Sequence, residues 1–388
     1  MSRKVRLGIV GFGNQGSNYA RFLAEGKVPN IELVAITDTD PSRRELIAER
    51  HPDLTVFDDY LTMLDSGDVE AVVTTVPHYL HPQMGIQALE RGIHVLIEKP
   101  AGVYTKQVRE LNEFAASKPE LTFAIMFNQR TNPLFRRLKE IVSSGEIGAI
   151  RRTNWLITTW YRPQAYYNQS AWRATWGGEG GGVLVNQAPH NLDLWQWICG
   201  VPKSVFAKAG FGFRRDIDVE DEVVAVVDYG DGATGTFTTA THEIVGTDRF
   251  EISGDKGKIV VEGSKTAVVT RYRSSEQEIN ASIPTEDIWK MTSAEFNPDE
   301  YYTQETVEFD SAWGGQHATV FENFAANILD GTPLIAPGSD GILGVRLANA
   351  IHLSAWTGKE VPMDFDEDEF LALLNKKIAE EGKFPQRS

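Results

Sequence analysis

A chain of 388 residues with 41% hydrophobic and 24% charged residues is long enough for two domains with large cores. Its single cysteine, Cys199, excludes a disulfide framework and a thiolate zinc cluster and suits a reducing compartment. With 38 Lys+Arg against 54 Asp+Glu the net charge is −16, which argues against nucleic acid or an anionic membrane surface as a partner. Apolar runs long enough to span a bilayer are missing, and Met1–Lys4 leads directly into a strand-like segment, so a cytoplasmic protein is expected.

Val5–Val10 is a continuous apolar run, as a strand buried on both faces requires. A glycine-rich turn follows, then a helix whose apolar face is Tyr19, Phe22 and Leu23. Ile31–Thr37, Glu70–Val76 and Gly92–Ile97 repeat the strand pattern, with helices such as Gln83–Glu90 between them. This rhythm predicts a doubly wound parallel sheet, a Rossmann dinucleotide-binding domain, over residues 1–125. Phe123–Phe127 reads as a further strand and Pro133–Ser144 as a helix stopped by Gly145. From Ile150 the pattern alternates instead. Glu222–Tyr229 and Ala233–Ala240 flank Gly230-Asp231-Gly232, and Phe250–Ser253 and Lys258–Val261 flank Gly254–Gly257, which are two hairpin signals. Residues 126–388 are therefore expected to form an α+β domain with a large, open, mostly antiparallel sheet. Tyr272–Gly315 reads as a polar, acidic arm, and Val320–Leu329 and Gly341–Thr357 as helices that return to pack.

Gly11-Phe12-Gly13-Asn14-Gln15-Gly16 matches G-x-G-x-x-G in the context that gives it meaning, after a strand and at the start of a helix. Gly11 permits the turn, Gly13 lets the backbone approach a pyrophosphate, and Gly16 lets the helix close on the strand. Asp38, followed by Thr39, ends the second strand, where an acid holds the ribose hydroxyls and repels a 2′-phosphate. NAD is therefore expected over NADP, although Arg43 and Arg44 leave NADP open. Thr75-Val76-Pro77-His78 ends the third of the long strands, and His81 opens the next helix, also beside the cofactor. His78 and His81 lack a nearby carboxylate or thiol, so no metal is expected. Glu98-Lys99-Pro100 ends the fourth, which puts Lys99 at the carboxyl ends of the strands, where ligands bind.

With these motifs and Gly180-Gly181-Gly182-Val183-Leu184-Val185-Asn186-Gln187-Ala188-Pro189-His190-Asn191-Leu192-Asp193, the whole chain resembles the Gfo/Idh/MocA family. The resemblance implies a Rossmann domain followed by an open-faced sheet, and hydride transfer between a nicotinamide and a carbinol or carbonyl of a sugar, sugar derivative or inositol. It also implies a homodimer or homotetramer joined through that sheet. It makes Lys99 the catalytic lysine and His190 the catalytic histidine, places the 75–78 loop and Glu98 against the cofactor, and brings Asn128 and Arg130 near nicotinamide and substrate, the other reading of Arg130 being a pair with an acid at the domain junction. Many members carry Asp four residues before the histidine; here Asn186 stands there, which cannot take a proton at neutral pH but can bond a sugar hydroxyl. Chemically, a neutral His190 suits a general base and the Lys99 ammonium a developing alkoxide. Asp193, one turn beyond His190, is a candidate to orient it or to cap its helix.

Seven aromatic residues lie between Trp155 and Trp176, with Arg162 and Arg173 interleaved. About half of the rings are expected in the core or an interface; Tyr161, Trp172 and Arg173 are the candidates for substrate contact. Two other readings stay open: an NAD-dependent glycoside hydrolase that oxidises, eliminates and re-reduces, and a dinucleotide-binding sensor without turnover.

Overall fold

A computed structural model describes residues 3–293, 297–309 and 316–381. The first half alternates strand and helix: β1 (Val5–Val10), α1 (Asn14–Ala24), β2 (Ile31–Thr37), α2 (Pro41–Arg50), β3 (Thr55–Phe57), α3 (Tyr60–Asp65), β4 (Ala71–Thr74), α4 (His81–Glu90), β5 (His94–Ile97), α5 (Thr105–Ala116) and β6 (Phe123–Ile125). The strands form one parallel sheet in the order β3-β2-β1-β4-β5-β6. β1 and β4 are almost wholly buried, which is why both read as unbroken apolar runs. The order reverses beside β1, so the carboxyl ends of β1 and β4 flank a crevice.

Then come α6 (Pro133–Ser143), β7 (Ile150–Ile157), α7 (Gln164–Tyr167), α8 (Pro189–Cys199), β8 (Ser204–Phe211), β9 (Glu220–Gly230), β10 (Ala233–Ala240), β11 (Asp248–Gly254), β12 (Gly257–Glu262), β13 (Thr266–Tyr272), α9 (Glu276–Ser282), β14 (Tyr302–Glu308), α10 (His317–Asp330), α11 (Gly341–Thr357), β15 (Val361–Pro362) and α12 (Glu367–Glu381). Nine strands make the second sheet, in the order β14-β13-β12-β11-β7-β10-β9-β8-β15. All pairs are antiparallel except β7 with β10. Helices α6, α8 and α11 pack on one face, where Trp195 of α8 stacks on Phe237 of β10 beside Trp155 of β7. On the other face Leu156, Phe206, Val224 and Val226 are exposed, while Val223, Ala225 and Val227 alternate into the core.

Several bounds differ from the pattern-based expectation. β3 is too short to announce itself. The strand expected over 123–127 stops at Ile125, because the Phe127 N–H turns back to Ile125 O at 2.8 Å and residues 128–131 form a 3₁₀ turn. Tyr272–Gly315 is only partly an arm: Tyr272 closes β13, and Tyr302–Glu308 is the edge strand β14 paired with it. Residues 294–296 and 310–315 of that stretch lie outside the described residues. α10 packs Val320, Phe321 and Phe324 against Tyr19 and Phe22 of α1, so part of the stretch after residue 125 completes the first core. Among the described residues no helix is long and apolar enough to cross a membrane.

Candidate functional site

The turn between β1 and α1 is braced from β4. Thr75 Oγ1 donates to Gly11 O at 2.8 Å, and Gly11 has φ +89°, a left-handed conformation in which a Cβ would also press on Thr75 O. Above Gly13 there is room, since a Cβ there would meet only Arg43 Nη1 at 3.6 Å. No side chain caps α1, so its first-turn N–H groups face the same space. Asp38, 8% exposed, accepts from Phe12 N at 2.7 Å and Asp40 N at 2.9 Å, and its carboxylate lies 3.5 Å from Arg43. An open cradle, an uncapped helix N-terminus and a carboxylate at the end of β2 fit a dinucleotide. Asn14 and Gln15 open α1; Thr39 lends only its carbonyl, to Arg44.

A cleft of about 300 Å³ opens beyond this cradle. Gln15, Thr75, Val76 and Lys99 line it from the first domain, and Trp172, Arg173 and Asn186 from the second. Lys99 Nζ donates to Asn186 O at 3.1 Å, and the Lys99–Pro100 peptide is cis. Burial lowers the Lys99 ammonium from its ordinary value; Glu98 and Glu179 oppose this, while Arg173 and Arg162 add to it. Glu98 accepts from Tyr19 Oη and from Lys99 N, and burial pushes its carboxyl up. His190 sits in the first turn of α8, its ring edge-on to Phe127. Burial holds it well below the ordinary value, with Lys99 and His317 pushing the same way, so it is neutral at pH 7. His78 is depressed to about 3 and His81 to about 4, both chiefly by burial. His81 bridges Pro100 O and Val76 O, tying the two strand ends together, and Pro77 precedes the 3₁₀ turn that carries His78.

The structure thus gathers Lys99, Asn186, Trp172 and Arg173 with Gln15, Thr75, Val76, His81 and Glu98, while His190, four residues after Asn186, and Asn128 lie outside this lining. Asn128 is buried close by in sequence, after β6, with its Oδ1 unpartnered. For Arg130 the cleft reading gives way to the junction reading. Arg130 is 1% exposed, and Asp193 and Asp340 take its guanidinium at 2.6–3.0 Å, so it clamps the junction of the domains and does not line the cleft. Asp193 is corrected with it, being committed to Arg130 and neither to His190 nor to a cap. Tyr161 is 39% exposed with Arg215 over its ring, and lies outside the cleft lining. Of the other aromatic residues, Trp155, Tyr167 and Trp176 are core, and Trp160 and Tyr166 are half-buried. Sequence reasoning missed Glu179 and His317. A lone acid inside Gly177–Gly182 was a usable signal for Glu179; His317 reaches the cleft only through the packing of α10.

Residues 5–125 match the oxidoreductase family with an NAD-binding Rossmann fold, and residues 135–260 match the GFO/IDH/MocA C-terminal domain. The chain is similar to the uncharacterized oxidoreductase YrbE of Bacillus subtilis, at 25% identity over 95% of this chain and 99% of that protein. It is similar to D-glucoside 3-dehydrogenase of Escherichia coli, at 26% identity over 93% and 98%. In fold it matches the WlbA dehydrogenase from Bordetella pertussis, solved with NADH and UDP-GlcNAcA, with a TM-score of 0.75 at 24% identity over 94% and 100%. The chain belongs to the GFO/IDH/MocA family and is an oxidoreductase with an NAD-binding Rossmann domain.

Proposed function

We propose that the protein is an NAD(H)-dependent dehydrogenase that acts on a carbinol of a sugar, sugar derivative or inositol, with Lys99 and His190 at the reacting oxygen. The observation that carries this reading is the Lys99 Nζ–Asn186 O bond at 3.1 Å, which sets an ammonium from one domain against the loop leading to His190 in the other. Gly11–Gly16 and the α1 N-terminus would hold the pyrophosphate, and Asp38 the ribose hydroxyls. Bound there, the dinucleotide supplies the hydride acceptor. His190, neutral at pH 7, takes the hydroxyl proton on its imidazole. Lys99 Nζ turns its free N–H bonds to the oxygen as negative charge develops. Asn186 bonds a neighbouring hydroxyl, while Trp172 and Arg173 wall the ring. The exposed apolar residues of the open sheet face support assembly with further copies of the chain, and the single cysteine suits a reducing, cytoplasmic setting.

The test is NADH formation, followed by absorbance, across a panel of sugars, sugar acids and inositols. Turnover that Lys99→Met abolishes is the expected result. Release of sugar from a glycoside with no net NADH would replace this reading with the internal-redox hydrolase.

A further inference from the structure

One buried carboxylate at the cleft has no part in the reaction just described. Glu179 is 1% exposed, in the turn before the loop that carries Asn186 and His190. Both its ends are pinned. Its Oε2 accepts from Ala174 N at 2.7 Å, and its Oε1 faces Arg173 Nη1 at 3.4 Å and accepts from Asn186 Nδ2. Its backbone N–H donates to Thr175 O at 3.0 Å, and its carbonyl meets His78 Nδ1 at 3.0 Å.

Two consequences follow from chemistry. Burial pushes the Glu179 carboxyl up from its ordinary value, while Arg173, the Ala174 N–H, the Asn186 amide and Lys99 favour its charged form; as a carboxylate it only accepts, so the Asn186 amide presents its NH₂ to Glu179 and keeps Oδ1 for another donor. Asn186 also receives Lys99 Nζ on its backbone carbonyl, so one residue links the carboxylate to the ammonium. Around Lys99 the charged groups are Glu98 beside it in sequence, Glu179 in the second domain, and Arg173 and Arg162 opposing them; His78, His81 and His190 are neutral at pH 7, and His317 faces His190. Glu98 is already engaged by Tyr19 and a backbone N–H. Glu179 is the acid whose link to Lys99 passes through a substrate-facing side chain.

We propose that Glu179 is the positioning residue of this site: through Asn186 it fixes the amide oxygen toward the substrate and sets a carboxylate one residue away from the Lys99 ammonium, in a cleft that Arg173 also lines. The positioning half of this rests on the dehydrogenase reading; the charge half does not. Asn186 carries no charge of its own, so Glu179 supplies at one remove what a carboxylate at position 186 would supply directly.

The experiment follows the titration of Lys99 in protein labelled with ¹³C at lysine Cε, by NMR, the signal being identified by its loss in Lys99→Arg. No substrate is needed, so the outcome is separate from whether any sugar is turned over. In Glu179→Gln, nearly isosteric, the Lys99 midpoint is expected about one pH unit lower. Where turnover is measurable, the alkaline limb of kcat/KM moves with it. Adding Asn186→Asp to Glu179→Gln returns the midpoint most of the way, because a carboxylate again stands beside Lys99. NADH affinity reports folding in each case; should Glu179→Gln not fold, Glu179→Asp takes its place, with a smaller shift in the same direction. An unmoved Lys99 midpoint, or a shift that Asn186→Asp does not reverse, overturns the proposal.

Discussion

Lys99 and Arg130 both follow strands of the first sheet, Lys99 half-buried at the cleft and Arg130 fully buried, and they are compensated differently. Asp193 takes Arg130 Nε and Nη2 at 3.0 and 2.7 Å, and Asp340 takes Nη1 at 2.6 Å. Lys99 Nζ donates to a neutral carbonyl at 3.1 Å and has no ion pair among the described residues. From sequence, Lys99 belongs to the cleft, and Arg130 either to the cleft or to an acid at the domain junction. The difference shows how a buried cation is to be read: one whose donors are filled by fixed carboxylates is structure, and one with donors left over is where an oxygen of a ligand belongs.

The two cations part most visibly in stability. Arg130→Met leaves Asp193 buried and uncompensated, and should lower the free energy of unfolding by about 3–5 kcal/mol in urea titrations. Adding Asp193→Leu should recover much of that loss. Lys99→Met should do the reverse of Arg130→Met. It removes an ill-compensated charge, so stability holds or rises, while kcat/KM falls about 10²–10³-fold. If Lys99→Met destabilises the protein as much as Arg130→Met, the two cations are alike and the reading fails.

What was legible in the sequence follows the same division. The fingerprint, Asp38 and Lys99 lie within short motifs whose spacing already points to a turn and two strand ends, and His190 is reached through the family resemblance of the Gly180–Asp193 stretch. Arg130 follows a strand end just as Lys99 does, and an acid partner at the junction could be suspected from sequence but not named. Its acids, Asp193 on α8 and Asp340 just before α11, arrive from distant parts of the chain. His317 is equally remote, and Tyr161 turns outward although it shares a stretch with Trp172. The sheets were readable from period; which side chains fill the gap between them was not, because that depends on how the two sheets dock.

The histidines bear on the same contrast, for by staying neutral they add no further positive charge beside Lys99. His78 sits at about 3 and His81 at about 4 against an ordinary 6.5, and His190 also lies well below it. The unfolded chain therefore binds these protons at pH values where the folded chain does not. Stability from this source is complete above pH ~6.5 and is lost as pH falls through 5 towards 4, at up to ~1.4 kcal/mol per pH unit for each histidine titrating. Urea midpoints measured between pH 8 and 4.5 should show that decline, and His78→Asn should flatten it. A midpoint constant across this range would mean that these rings are not held neutral by burial.

Asp38 is the anionic intermediate case. Phe12 N and Asp40 N fill part of its acceptor capacity, and Arg43 at 3.5 Å adds a partial counter-charge, which leaves lone pairs for ribose hydroxyls. Asp38→Asn keeps the shape and gives up the charge. The loss of a charged acceptor weakens NADH binding about tenfold, since hydrogen bonds to charged groups are worth roughly 1.5–3 kcal/mol and one acceptor remains. NADPH should lose less, or gain, because its 2′-phosphate no longer meets a carboxylate and Arg43 is released towards it. Fluorescence titration of both cofactors gives the ratio. Equal weakening of NADH and NADPH would show that Asp38, like Arg130, is spent on the fold, and that the groups filling its lone pairs decide its role more than its place at the end of β2.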